Sequence, residues 1–180
     1  MIDVQDITKP IFANIPSNIT VECSVIPTPS VVTATDNCDA DVTVTMVEVR
    51  TNGSCPDSYK LTRTWTATDN CNNTSTASQV IDVQDITKPI FANIPSNITV
   101  ECSAIPTAAT VTATDNCDAD VTVTMVEVRT NGSCPDSYKL TRTWTAIDNC
   151  NNTSTASQVI DVQDITKPIF ANIPSNITVE

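Results

Sequence analysis

The stretch from Ile2 to Val80 returns almost letter for letter as Ile81 to Val159, and its opening, IDVQDITKPIFANIPSNITVE, appears a third time from Ile160 to Glu180. Over this 79-residue period five positions differ: Val25/Ala104, Pro29/Ala108, Ser30/Ala109, Val31/Thr110 and Thr68/Ile147. Units so alike must share one fold. Identical tandem units lengthen a chain, whereas an enzyme gains little from a second scaffold fused end to end, so a structural array is expected. The period divides the chain into four parts: residues 1–6, the end of a preceding repeat and its linker; a repeat over 7–85; a repeat over 86–164; and 165–180, the start of a further, truncated repeat. Both ends fall inside a unit, which reads as a window on a longer array.

Each period carries four cysteines: Cys23, Cys38, Cys55 and Cys71, then Cys102, Cys117, Cys134 and Cys150. An even number at fixed spacing, in a unit too small for a large core, points to a disulfide framework and an oxidising, extracellular, secreted or cell-surface location. Zinc would want close Cys pairs or Cys/His pairs, and the chain has neither a histidine nor a close cysteine pair. The net charge of -12 argues against a nucleic-acid partner and for cations. No apolar run reaches the roughly 20 residues of a membrane span.

Val, Ile and Thr dominate, no stretch keeps a helical period, and the expected class is all-β: tandem immunoglobulin-like β-sandwiches joined end to end. Predicted strands in the first copy are Ile11 to Ile15, Ile19 to Glu22, Val31 to Thr35, Val42 to Arg50, Tyr59 to Thr68 and Thr74 to Val83. In YKLTRTWTATD, Tyr59, Leu61, Arg63, Trp65 and Ala67 share one face, with Trp65 as the core anchor. In VTVTMVEVR the apolar parity changes between Met46 and Val47, which predicts a bulge or bend there.

Strand direction then constrains the bridges. The hairpin from Val42 through TNGSCPDS to Tyr59 places Cys38 and Cys71 at one end and Cys55 at the other. If the strand ending at Cys23 also runs down, the pairs are Cys23 with Cys55 and Cys38 with Cys71, repeated as Cys102 with Cys134 and Cys117 with Cys150. A Cys55 to Cys71 bond would have to span a strand of about ten residues, roughly 33 Å, beyond the reach of one bridge.

The words SNITVEC, TATDNCD, YKLTRTWTATDNCNN and DVQDITKPIF resemble the four-cysteine variety of hyalin-repeat (HYR-like) domain. That family is an immunoglobulin-like module found in long tandem arrays of surface and secreted proteins, notably of Bacteroidota. The resemblance covers the whole period and implies an extracellular adhesive or fibrous role without catalysis. One departure is Asn72, with Asn151, where such repeats commonly carry glycine after the second DNC.

The last strand exits through Asp82 and Asp85, and the chain enters the next unit where its two DNC loops lie. Asp82, Asp85, Asp115, Asp118, Asp120 and Asp148 are therefore expected to converge, as would Asp3, Asp6, Asp36, Asp39 and Asp69 around the first unit. Gathered carboxylates repel unless neutralised. Hard oxygen donors on short side chains suit calcium, the candidate cofactor, with backbone carbonyls and Asn116 or Asn149 completing the shell. The plainer alternative is that these residues only cap turns. Pro89 fixes an extended, short linker, which favours a semi-rigid joint.

Sequons at Asn18, Asn52, Asn72 and Asn73 read as glycan acceptors or as ordinary polar loops, depending on the source. With no histidine and no glycine-rich phosphate loop, catalysis has little to stand on. The leading reading is the structural shaft of an extracellular filament or giant repetitive adhesin. Its partners would be further copies of the repeat in a longer chain and neighbouring chains in a filament. The alternative is a binding module that recognises a glycan or protein through its loops.

Overall fold

The computed structural model describes residues 1–176 and 178. In the first repeat the strands are β1 (Ile11–Ala13), β2 (Ile19–Glu22), β3 (Thr33–Thr35), β4 (Thr43–Cys55), β5 (Ser58–Thr68) and β6 (Thr74–Gln84). In the second they are β7 (Ile90–Ala92), β8 (Ile98–Glu101), β9 (Thr112–Thr114), β10 (Thr122–Asn131), β11 (Tyr138–Ile147) and β12 (Thr153–Gln163). The fold is all-β, two tandem sandwich-like repeats. The chain forms two compact units, the first of Met1–Ala92, Thr112–Val123 and Ala146–Ser154, the second of Asn93–Val111, Thr124–Thr145 and the chain from Thr155 onward.

In the first unit β1 pairs antiparallel with β3, and a larger sheet runs in the order β2-β6-β5-β4. Its β2–β6 pair is parallel, with Ile19 opposite Ile81 and Val21 opposite Val83, while β4–β5 and β5–β6 are antiparallel. Strand alternation turns Leu61, Trp65, Ala67, Ile81 and Val83 inward. Leu61, Ile81 and Val83 form a cluster closed by Ile19, Val21, Ile26 and Tyr59. Trp65, 2% exposed, is the largest core side chain of the repeat. In the second unit β8 lies parallel to β12, and Leu140, Ile160 and Val162 pack with Ile98, Val100, Ile105 and Tyr138.

Arg63 sits in register between Glu48 and Gln79 and is buried among these apolar groups. A buried guanidinium is costly unless its donors are satisfied. Its Nε donates to Glu48 Oε2 at 2.7 Å and its Nη2 to the Pro27 carbonyl at 2.7 Å, while Gln79 Nε2 donates to the Ser17 carbonyl at 2.7 Å. The layer ties the β2-β6-β5-β4 sheet to the segments before β2 and β3.

The bulge expected between Met46 and Val47 is absent from the β4–β5 ladder: Met46 opposes Trp65 and Val47 opposes Thr64 without a slip. The register shifts instead between Asn52 and Cys55. β4 is an edge strand on which Val47 and Val49 stay exposed, so the change of apolar parity did not mark a change of face. The slip falls at Gly53, where a Cβ would collide with the Ser58 carbonyl.

Where the chain enters the first repeat, the Asp6 carbonyl accepts from Asn73 Nδ2 and the Pro10 carbonyl from Ser75 Oγ, beside the start of β6. Where it leaves, the Asp85 amide faces Ser58 Oγ beyond the end of β6. Eleven residues of strand separate the two places, about 35 Å at a rise near 3.3 Å per residue.

Candidate functional site

The two disulfides are Cys23–Cys117 and Cys55–Cys150, with Cα separations of 6.1 and 5.2 Å, both inside the first compact unit. This overturns the expected pairs Cys23 with Cys55, Cys38 with Cys71, Cys102 with Cys134 and Cys117 with Cys150. Cys38, Cys71, Cys102 and Cys134 are free thiols. Strand direction does place Cys38 beside Cys71, on loops tied by the Asn70 amide donating to Asp39 Oδ2 at 2.9 Å. The expected pairs lie within one repeat, whereas the bonds that form run between repeats. Where the end of one repeat meets the start of the next, each cysteine finds a partner 94 or 95 residues along the chain.

Beside these bonds Asp85, Asp115 and Asp148 converge. Each spends one carboxylate oxygen on its own loop. Asp115 Oδ1 accepts from the amides of Cys117 and Asp118, at 2.8 and 3.2 Å. Asp148 Oδ1 accepts from the amides of Cys150 and Asn152, both at 2.8 Å, and Asp85 Oδ1 from the Thr87 amide at 3.3 Å. These are turn-capping bonds of the kind Asp forms locally. The second oxygen of all three, Oδ2, is buried without a hydrogen-bond partner. Asp85 and Asp148 are each 5% exposed. Turn capping and cation binding are thus not rivals, since the loops consume only half of each carboxylate.

Carboxylate oxygens of Asp85 and Asp115 lie with Cys117 Sγ within 4.8 Å of one another. The sulfur is bonded to Cys23, so it is no thiolate donor, and the site is one of hard oxygens. Burial, with the charges of Asp115 and Asp148 beside it, pushes the Asp85 carboxyl up to about 6. Three carboxylates with buried unpaired oxygens fit a divalent oxygen-seeking cation such as calcium.

The other expected residues take different places. Asp82 stands between buried Ile81 and Val83 on β6, so alternation turns it to the opposite face, across from Lys60 and Thr20. Asp118 uses Oδ1 for the Asp120 amide and Oδ2 for the Asn149 amide, and so locks the two loops together, while Asp120 is exposed. Asn116 Nδ2 points to Ser24 Oγ at 3.1 Å and Glu22 Oε1 at 3.4 Å, and Asn149 Nδ2 donates to Asp57 Oδ2 at 2.7 Å. Around the first repeat, Asp6 and Asp36 each keep a buried unpaired Oδ2, Asp69 Oδ2 accepts from Asn73 Nδ2, and Asp3 is exposed. Asn72 and Asn151, departures from the glycine expected from the resemblance, adopt positive φ of 66° and 69°. Asn tolerates this left-handed region better than most residues, so the turn survives without glycine.

Sequence reasoning passed over Glu22. It accepts from Thr87 Oγ1 at 2.7 Å and from the Ile86 amide at 3.3 Å, gripping the linker. Burial acts to raise its carboxyl, but hydrogen bonds from Thr87, Asn116 and Ile86 outweigh this and hold it below the ordinary value. Its only sequence signal was adjacency to Cys23.

The chain belongs to the family described as the HYR-like domain with 4 cysteines, which matches residues 11–83 and 90–162. No curated protein matches it. Among solved structures it is similar to Drosophila N-cadherin EC1-4 (12% identity, TM-score 0.37), covering 87% of this chain and 50% of that one. It is also similar to human mucin-like protocadherin EC1-2 (15%, TM-score 0.34, 86% and 98% covered) and mouse cadherin-23 EC22-24 (17%, TM-score 0.37, 87% and 67% covered). The chain thus spans half the length of the N-cadherin fragment. Likeness at this level says nothing about ligand or partner. Among the described residues no helix is long and apolar enough to cross a membrane.

Proposed function

We propose that the chain is part of the structural shaft of an extracellular filament or giant repetitive adhesin, with repeats stapled to their neighbours and a calcium ion closing the joint. The domain division at 7–85 and 86–164 and the surface or secreted setting belong to the same reading. The observation that carries it is that both disulfides join one repeat to the next, beside three carboxylates whose free oxygens are buried. Bonds within a repeat would stabilise a bead, whereas bonds across a joint resist its bending and stretching. Asp85, Asp115 and Asp148 would hold the ion, with nearby carbonyls completing its shell.

Titration of calcium into chelator-stripped chain by calorimetry tests the joint. A saturable heat, with a rise in melting temperature that Asp148→Asn abolishes, is expected. Absence of heat and an unchanged melt would remove the ion. Single-molecule stretching tests the shaft: the oxidised chain should show no extension at the joint below the force that unfolds a repeat.

A further inference from the structure

Cys23–Cys117 and Cys55–Cys150 both lie in the first compact unit, but their surroundings differ. A carboxylate oxygen of Glu22 lies with both sulfurs of Cys23–Cys117 within 4.8 Å of one another, and the Cys117 sulfur is equally close to carboxylate oxygens of Asp85 and Asp115. Among the described residues no such acidic cluster gathers round Cys55–Cys150. Asp85 and Asp115 each bury an Oδ2 without a hydrogen-bond partner, and Asp85 is 5% exposed. One of the two bonds therefore sits beside anionic donors that no hydrogen bond uses.

While that bond is intact, this corner offers only hard oxygens. Breaking it adds two thiolates. Zinc is then favoured over calcium, because thiolate is a soft ligand and calcium takes oxygen. Spacing along the chain argued against zinc for want of a close cysteine pair, but the fold supplies such a pair from residues 94 apart. In a tetrahedral site with Zn–S near 2.3 Å the two sulfurs stand about 3.8 Å apart. Released from each other, two side chains whose Cα atoms are 6.1 Å apart reach that spacing by turning about χ1, with the backbone in place.

We infer that reduction of Cys23–Cys117 turns this corner into a zinc site, with the two thiolates and the Oδ2 atoms of Asp85 and Asp115 as its four ligands. Cys23 and Asp85 precede the second repeat, and Cys117 and Asp115 belong to it, so the metal takes over the tie that the disulfide made. Glu22 stays outside the ligand set because its oxygens already accept from Thr87 and Ile86. The inference rests on the reading of Asp85 and Asp115 as cation ligands, but not on calcium as the cation.

The reduction balances with a water-soluble phosphine as reductant. The S–S bond breaks, the phosphorus takes the oxygen of one water and becomes a phosphine oxide, and the two hydrogens of that water end on the two sulfurs. Zinc binding then releases both as protons to solvent, as the thiols become thiolates.

The test uses the full chain carrying Cys38→Ser, Cys71→Ser, Cys102→Ser and Cys134→Ser, so that only the bonded cysteines can yield thiolates. After reduction by the phosphine and its removal in the absence of air, cobalt(II) is titrated as a coloured probe for zinc. One equivalent should bind, with the thiolate-to-cobalt charge-transfer absorption of a two-sulfur site, and zinc should displace it. The oxidised chain should show no such absorption. Adding Cys55→Ser/Cys150→Ser should leave the absorption intact, adding Cys117→Ser should at least halve it, and Asp85→Asn or Asp115→Asn should weaken binding by about tenfold or more. Four results would overturn the inference: a reduced chain without the absorption, whether or not circular dichroism shows its strands; absorption that Cys55→Ser/Cys150→Ser abolishes; absorption that Cys117→Ser leaves whole; or affinity that neither aspartate variant changes. Calcium calorimetry on the oxidised chain reports separately. Calcium binding there, without cobalt binding after reduction, would remove the zinc site and leave the shaft reading, and the reverse would remove calcium and leave the zinc site.

Discussion

The sequence NGSCPDS occurs twice, at Asn52–Ser58 and Asn131–Ser137, and the two copies do not finish the same way. In the first, β4 continues to Cys55, which pairs with Ser58 across a tight turn; in the second, β10 stops at Asn131. The local clamp is the same in both. Arg50 Nη2 donates to the Pro56 carbonyl at 2.7 Å and its guanidinium covers the Tyr59 ring at 3.6 Å, and Arg129, Pro135 and Tyr138 repeat these values. What differs is company: the first tip is bonded through Cys55 to Cys150 and accepts from Asn149 at Asp57, while Cys134 is free. Nearby residues thus shape the hairpin, and a distant loop orders its last residues.

The sharpest way to break this comparison is to remove the staples. In the chain-entropy model, a bond closing a loop of about 95 residues stabilises by roughly 4 to 5 kcal/mol, and the second bond adds less because its ends are already close. Cys117→Ser/Cys150→Ser should lower the melting temperature of the first unit and raise amide exchange at Gly53–Cys55 to the rate of Gly132–Cys134. Unchanged exchange at the first tip would mean that its order is local after all.

Next in size is Asp85. Its carboxyl titrates near 3.8 when unfolded and about 6 when folded, so the folded state holds the proton more tightly. The metal-free chain should therefore lose stability as pH rises from about 4 to 6 and keep the full penalty above that. At about 1.4 kcal/mol per pKa unit the penalty is on the order of 3 kcal/mol. Glu22 and Asp69 are shifted the other way and oppose this slope, so the difference between wild type and Asp85→Asn in chelator isolates it. A difference that does not change with pH would sink the assignment.

Gly53→Ala should cost about 1 to 3 kcal/mol, because the added Cβ meets the Ser58 backbone in a tip that a bond holds closed. Gly132→Ala meets Ser137 in a tip free to give, and urea unfolding should find a smaller loss. The smallest effect is expected at Asn149→Ala, about 1 kcal/mol for one lost hydrogen bond to Asp57. In this chain Asn70→Ala, whose side chain makes no such bond among the described residues, should be near neutral in the same assay.

Much of the fold was legible because it rests on alternation within single strands. The face shared by Leu61, Arg63, Trp65 and Ala67 is buried as the pattern implied, and β2 matches its expected span. The bulge near Met46 was misplaced because apolar residues on an exposed edge strand carry no information about the core. At the site, Asp85, Asp115 and Asp148 come together as read, but Asp82 does not, although the same alternation that buries Ile81 and Val83 could have excluded it. Glu22 was missed because a lone acid beside a cysteine has no pattern of its own.

By itself the amino-acid sequence determined the repeat, the all-β class, the core faces and which cysteines share an end of the sandwich, all of which follow from periods of two and seventy-nine residues along one chain. Only the tertiary structure decided which sulfurs bond and which carboxylate oxygens stay unpaired. Those outcomes depend on distances between groups far apart along the chain, 94 and 95 residues for the bonded sulfurs, and identical repeats offer each cysteine several chemically equal partners that only position in space can tell apart.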